Sequence, residues 1–189
     1  MSGLLSGDRV ALRPTEPTDV GRLREIRATP EVAKWWGPLE EDFPLDDEPA
    51  ATRFTALVDG EVAGMLQFQE EPEPDYRSAD IDIFLDPPHH GRGLGTDAVT
   101  TLVRHLLEGR GHHRVTISAA IENAVAIRCY EKAGFRRVGT LEAAARDPWT
   151  GEWHDELLME LVVRTGQTLR TSRRNPVQGR ARSRGGSAR

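Results

Sequence analysis

The stretch HHGRGLGT, His89 to Thr96, places glycines at alternate positions, Gly91, Gly93 and Gly95, around one arginine, Arg92. A helix N-terminus carries backbone N–H groups without partners, and glycine lets a phosphate approach them closely. With His90 before the turn and Leu94 and Thr96 completing it, the stretch fits a pyrophosphate. It lacks the Lys-Ser/Thr ending of a nucleoside triphosphate loop. It is not the Gly-x-Gly-x-x-Gly of a dinucleotide loop either, because position 96 is Thr. By itself the spacing fits a flexible turn as well.

The elements that must position this loop follow from hydrophobic periodicity. DRVALRP alternates Val10 and Leu12 with arginines and reads as a strand. TDVGRLREIRATPEVAKWWG reads as two short helices, with Val20, Leu23 and Ile26 on one face and Thr29-Pro30 opening the second. TRFTALVDGEVAGMLQFQE is two apolar runs around Asp59-Gly60, a strong hairpin signal. ADIDIFLDPP is a strand stopped by prolines. Val99, Leu102, Val103, Leu106 and Leu107 then recur at helical spacing until Gly109. HRVTISAA is a strand, NAVAIRCYEKAG a helix closed by Gly134, and FRRVGT and EWHDELLMELVV the last two strands. Strands joined both by hairpins and by helices imply an α/β architecture, a mixed sheet with helices on its faces.

A chain of 189 residues is the size of one ordinary domain. The expected organisation is one ordered domain, 1–164, and a disordered basic tail, 165–189, rich in Arg, Gly and Ser. Neither a signal-like start nor a run of eighteen apolar residues is visible, so a cytoplasmic protein without a membrane span is expected. The single cysteine, Cys129, excludes an internal disulfide and reads as helix packing. Histidines 89, 90, 105, 112, 113 and 154 lack a convergent third ligand, so no metal is expected. The net charge of −5 conceals eight arginines and no acid from Arg164 onward, which leaves 17 Lys and Arg against 30 acids before it. So acidic a body repels nucleic acid and favours cationic partners, or simply keeps the protein soluble.

DIDIFLDPPHHGRGLGTDAVTTLVRHL, followed by ISAAIENAVAIRCYEKAGFRRVGT, resembles the GNAT superfamily of N-acetyltransferases. The likeness lies in the glycine loop and in the segment Asn-x-x-Ala-x-x-x-Tyr-Glu-Lys-x-Gly-Phe; His90 departs from the usual Gln or Arg. The resemblance implies a GNAT-like central mixed, mostly antiparallel sheet with helices on both faces. It implies acetyl-CoA as donor, its pyrophosphate held by amides around Arg92 to Thr96, with Asn123 a further contact. The strand bearing Phe84 and Leu85 would splay open to pair with the pantetheine arm, and a backbone N–H there would stabilise the oxyanion. Tyr130 matches the family's acid for the departing thiolate; the alternative is a core tyrosine with its hydroxyl at the rim.

Acyl transfer to an amine also needs the amine held against the carbonyl. Asp80 and Asp82 share one strand face and Ile81, Ile83 and Leu85 the other. Asp82 is the candidate base: it positions the amine and takes its proton as nitrogen attacks. A solvated acid on an exposed face is the alternative. EVAKWWG, the Asp59-Gly60 hairpin, IDIFL, GRGLGT and AIRCYEKAGF occur in the same order as in the aminoglycoside 6'-N-acetyltransferases. That closer resemblance implies Asp82 serving the acceptor amine and Trp35 and Trp36 walling its site. Asp80 and Asp155 are further acceptor-site candidates. PLEEDFPLDDEPAA and RDPWTGEWHDELLMEL depart from the pattern, and both are acceptor-side segments. The acids Glu40, Glu41, Asp42, Asp46, Asp47 and Glu48, with Glu70, Glu71, Glu73 and Asp75, would rim a cleft for a polycation or form ordinary solvated loops. Other acceptors (a protein N-terminus, a lysine, a small metabolite), a non-catalytic acetyl-CoA-binding module, and nucleic-acid binding confined to the tail are the alternatives. Monomer and homodimer are both open.

Overall fold

The computed structural model describes residues 3–44 and 51–164. The basic tail and the linker acids Asp46, Asp47 and Glu48 lie outside the described residues.

Eight strands make one sheet: β1 (Leu5–Ser6), β2 (Val10–Pro14), β3 (Thr52–Val58), β4 (Glu61–Glu71), β5 (Ser78–Leu85), β6 (Arg114–Ala120), β7 (Arg136–Arg146) and β8 (Trp153–Val162). Their order is β1-β2-β3-β4-β5-β6-β8-β7. All neighbours are antiparallel except β5 and β6. Asp59 and Gly60, at φ 53° and 86°, form the predicted tight turn between β3 and β4.

Strand alternation sorts two cores. Leu66, Phe68, Ile81, Leu85, Val115, Ile117, Leu157 and Met159 face helices α3 (Leu94–Arg104) and α4 (Ala124–Ala133) in the larger one. On the other face, Met65 and Phe84 pack with Leu23 and Ile26 of α1 (Val20–Arg27), Val32 of α2 (Pro30–Trp36) and Phe43. Helices thus cover both faces, as the sequence predicts. Among the described residues no helix is long and apolar enough to cross a membrane.

The sheet opens in its middle. β5 and β6 are joined only at Ala79↔Val115 and Asp80↔Thr116. Beyond that point Ile81–Leu85 pairs only with β4, and Ile117–Ala120 only with β8. The two parallel strands therefore diverge as a V toward their C-terminal ends, where α3 and α4 begin.

Two elements exceed the sequence reading. β1 is a two-residue strand, too short to show a period. β7 runs on from FRRVGT to Arg146 as an exposed edge with two register shifts against β8, and its small and polar residues show no alternation.

The register of β3 against β4 shifts between Ala56 and Leu57: Leu57 faces Val62 and Ala56 faces Gly64, so Ala63 is an extra residue. Gly64 stands where β4 and β5 touch. A Cβ there would collide with the Phe84 carbonyl oxygen and lie 2.8 Å from Leu85 Cα, on a backbone at φ 155°. Gly64→Ala is therefore expected to destabilise the fold by about 2 kcal/mol or more, measured as a lower denaturant midpoint at unchanged slope.

Candidate active site

The glycine loop leaves β5 through a short turn, Pro87–His89, at the mouth of the V. His90 Nε2 bonds the Leu85 carbonyl at 2.8 Å, tying the loop back to the strand. Gly91 and Gly93 hold φ of 71° and 81°, which glycine adopts without steric cost. A Cβ on either would meet nothing within 4 Å, so these positions border open space. The first backbone bond of α3 is from Asp97 N to Gly93 O, at 3.1 Å. Among the described residues, none of the amides from Gly91 to Thr96 makes a hydrogen bond of good geometry within the protein. That row of free donors at a helix N-terminus fits the phosphates of a donor nucleotide.

Gly95 has a different job. A Cβ there would lie 3.2 Å from Cys129 Sγ, so its small size lets α3 approach α4, while its amide stays in the first turn. Thr96 Oγ1 reaches Cys129 from the same turn, at 3.5 Å. Asn123 caps α4, its Oδ1 accepting the Ala126 amide at 3.1 Å, which leaves its amide nitrogen for a ligand. Ties that the sequence did not disclose hold the loop from behind. Arg9 Nη1 donates to the Arg92 carbonyl at 2.7 Å, and the Asp97 carboxylate accepts the amides of Asp8, Arg9 and Val10 at 3.0, 2.8 and 2.8 Å.

Asp80 and Asp82 share the face of the smaller core, as predicted. Cross-strand pairing lines up Arg53, Gln67 and Asp82. Arg53 Nε donates to Gln67 Oε1 at 3.2 Å, and Gln67 Nε2 to Asp82 Oδ2 at 3.1 Å. Burial pushes the Asp82 carboxyl above the usual range, and the Gln67 bond opposes that. The Asp80 carboxyl, still partly open to solvent, accepts the Thr116 hydroxyl at 2.5 Å. Desolvation, with smaller contributions from the charges of Asp82 and Glu156, pushes it up to about 6.

Glu156 is the residue that sequence reading missed. The β6–β8 register sets it opposite Ala120, on the same face as Thr116. Asp155 lies instead on the side of Leu157 and Met159, and its Oδ1 accepts the Ala143 amide at 2.8 Å. The structure therefore does not bring Asp155 to the face of Asp80 and Asp82. Glu70 is drawn to the opposite face as well, where Arg110 and His112 Nε2, at 2.6 Å, hold its carboxylate. It is no part of an acidic rim, whereas Glu40, Glu41 and Asp42 are exposed.

Tyr130 sits in the larger core, 6 % exposed, its ring 6.3 Å from Phe135. Among the described residues its hydroxyl takes no hydrogen-bond partner. Burial, followed by the charges of Cys129 and Asp82, pushes that hydroxyl far up, so it stays protonated and able to donate. The two tryptophans divide as adjacent helical residues must. Trp36 packs edge-on against Phe84 at 5.0 Å, while Trp35 is 39 % exposed with Lys34 Nζ 4.3 Å from its ring centre.

A split sheet, a loop of free amides at its mouth and a half-buried carboxylate on its margin are the parts that acyl transfer to an amine would use. Residues 20–135 match the acetyltransferase (GNAT) family, and the chain belongs to it. It is 30% identical over 158 residues to the aminoglycoside N(6')-acetyltransferase type 1 of Klebsiella pneumoniae, covering 72% of this chain and 78% of the relative. Its identity to the spermidine N(1)-acetyltransferase of Escherichia coli is 28% over 145 residues, 72% of this chain and 77% of the relative. Among solved structures, an aminoglycoside acetyltransferase, AAC(6')-Ib, with coenzyme A and kanamycin superposes with a TM-score of 0.68 at 28% identity, over 81% of this chain and 94% of that one.

Proposed function

We propose that this enzyme transfers the acetyl group of acetyl-CoA directly to a primary amine of a polycationic acceptor, the 6'-amine of an aminoglycoside. The observation that carries this reading is the free amide row, Gly91 to Thr96, at the mouth of a V whose margin bears Asp82. The amides and the α3 N-terminus take the pyrophosphate. The unpaired edge of β5 accompanies the pantetheine arm, and a Phe84–Leu85 amide donates to the developing oxyanion. Asp82, oriented by Gln67 and Arg53, holds the amine and accepts its proton as nitrogen attacks. Tyr130 donates to the departing thiolate from the α4 side of the sheet.

Asp80, Asp82 and Glu156 together favour an acceptor with several positive charges over one that carries its own carboxylate. Spermidine meets the same condition and is the second reading, supported by the relative named for it. The decisive assay measures thiol release from acetyl-CoA with kanamycin, with an analogue bearing a 6'-hydroxyl, and with spermidine. Turnover of kanamycin and loss of it with the hydroxyl analogue is the expected result. Turnover of spermidine alone would replace the acceptor.

The raised carboxyl of Asp80 adds a pH dependence. Below about 6 it is neutral and attracts no ammonium, so KM for the acceptor is expected to fall as pH rises through about 6. Because the fold raises this pKa, ionising Asp80 opposes folding, and that cost grows as pH climbs from the unfolded carboxylate range to about 6. Asp80→Asn should therefore flatten the KM profile while raising the thermal midpoint at pH 7 and leaving it nearly unchanged at pH 4.

A further inference from the structure

The two margins of the V carry separate structures that meet above it. On the β5 side, α2 lies over Phe84 through Trp36. On the β6 side, the β7–β8 hairpin runs past the last β6 pair, Ala120↔Glu156, to Arg146↔Trp153 and a tip at 147–152. This tip is internally fixed. The Asp147 carboxylate accepts the amides of Trp149 and Thr150 at 2.7 and 2.9 Å, Gly151 N donates to Asp147 O at 2.8 Å, and Arg146 Nε donates to Gly151 O at 3.0 Å.

The tip bends back onto α2. Trp149 Nε1 donates to Ala33 O at 3.4 Å, across 116 residues of chain, and the Pro148 ring lies so close to Gly37 that a Cβ there would be 2.9 Å from its Cγ. Trp149 is nevertheless 60 % exposed. A long hydrogen bond from an exposed ring contributes little to stability, at most about 1 kcal/mol. It does connect two elements that are otherwise anchored independently, one to each side of the V.

We infer that Pro148–Trp149 and the C-terminal turn of α2 form a strap across the acceptor entrance, and that Trp149 sets the width of the amine admitted. This rests on the reading of the chain as an amine acetyltransferase. A linear polyamine threads beneath a closed strap, whereas a multi-ring aminosugar needs it displaced. Trp149 is thus a specificity-determining residue remote from the reacting atoms.

The test compares wild type, Trp149→Phe and Trp149→Ala with kanamycin and spermidine as acceptors, alongside hydrogen exchange of peptides spanning 30–38 and 146–153. For Trp149→Ala the kanamycin-to-spermidine ratio of kcat/KM is expected to rise about fivefold, equivalent to about 1 kcal/mol. KM for acetyl-CoA should be unchanged, and exchange should quicken in both peptides together. Trp149→Phe, which keeps the ring and loses the N–H, should fall between. A merely structural residue would change both acceptors equally, and that result, or unaltered exchange, overturns the strap. If wild type turns over neither amine, the acceptor reading fails on its own. Exchange then decides the strap alone: coupled quickening supports it, and independent behaviour of the two peptides refutes it.

Discussion

Asp82→Asn is expected to lower kcat by about 10² to 10³, the range for loss of a positioned proton acceptor, with the affinity for acetyl-CoA essentially unchanged. The geometry sets this separation. Asp82 lies on the sheet face toward α1 and α2, whereas the amides that would hold the donor lie beyond the end of β5. Asparagine keeps the shape and can still meet Gln67 by rotating its amide, so the strand stays in place and only basicity is lost. Isothermal titration with acetyl-CoA and steady-state kinetics on one preparation check both halves. An equal loss of affinity and turnover would remove Asp82 from its assigned role.

Gly93→Val is expected to do the reverse, raising the Kd for acetyl-CoA by about 10² while the fold survives. Two effects act together. At φ 81° a β-branched residue is strained, with a cost of about 1–3 kcal/mol. Its side chain would also enter the open space bordering the free amides, where a phosphate has to approach. The strain weakens the fold and the obstruction weakens binding. Circular dichroism melts and acetyl-CoA titration tell them apart, and a variant that melts lower yet binds normally would show that the loop is not the phosphate site.

The loop itself was legible because its demands are local. Positive φ at Gly91 and Gly93 and a helix start at Leu94 are each written within a few residues, whereas Asn123, expected as a donor contact, proves also to cap α4. The face shared by Asp80 and Asp82 was also legible, since alternation within one strand needs no partner. What could not be read depends on register between strands. Were the ladder regular, with Ala63 paired to Ala56, Arg53 would face Leu66 instead of Gln67, and the chain of bonds to Asp82 would not form. Gly64, isolated inside a strand pattern, was the available hint of that bulge. The same limit explains Glu156 and Asp155: both belong to one alternating acidic run, and only pairing with β6 decides which of them faces Asp80. Glu70 looked like part of an acidic linker because its partners, Arg110 and His112, arrive from about forty residues away.

The V between β5 and β6 also bears on how such an enzyme changes its substrate over generations. Donor capture by main-chain amides and bare strand edges, as proposed, would make few demands on side-chain identity apart from the glycines. On the reading proposed above, the acceptor would be read by side chains on a sheet face and by the tip of a hairpin, where substitutions would leave the donor side untouched. Mutation could then explore new amines without first losing acetyl-CoA, and relatives at similar distance from this chain carry names for quite different amines. The divided sheet would thus separate a half that serves the donor from a half that can change with the acceptor.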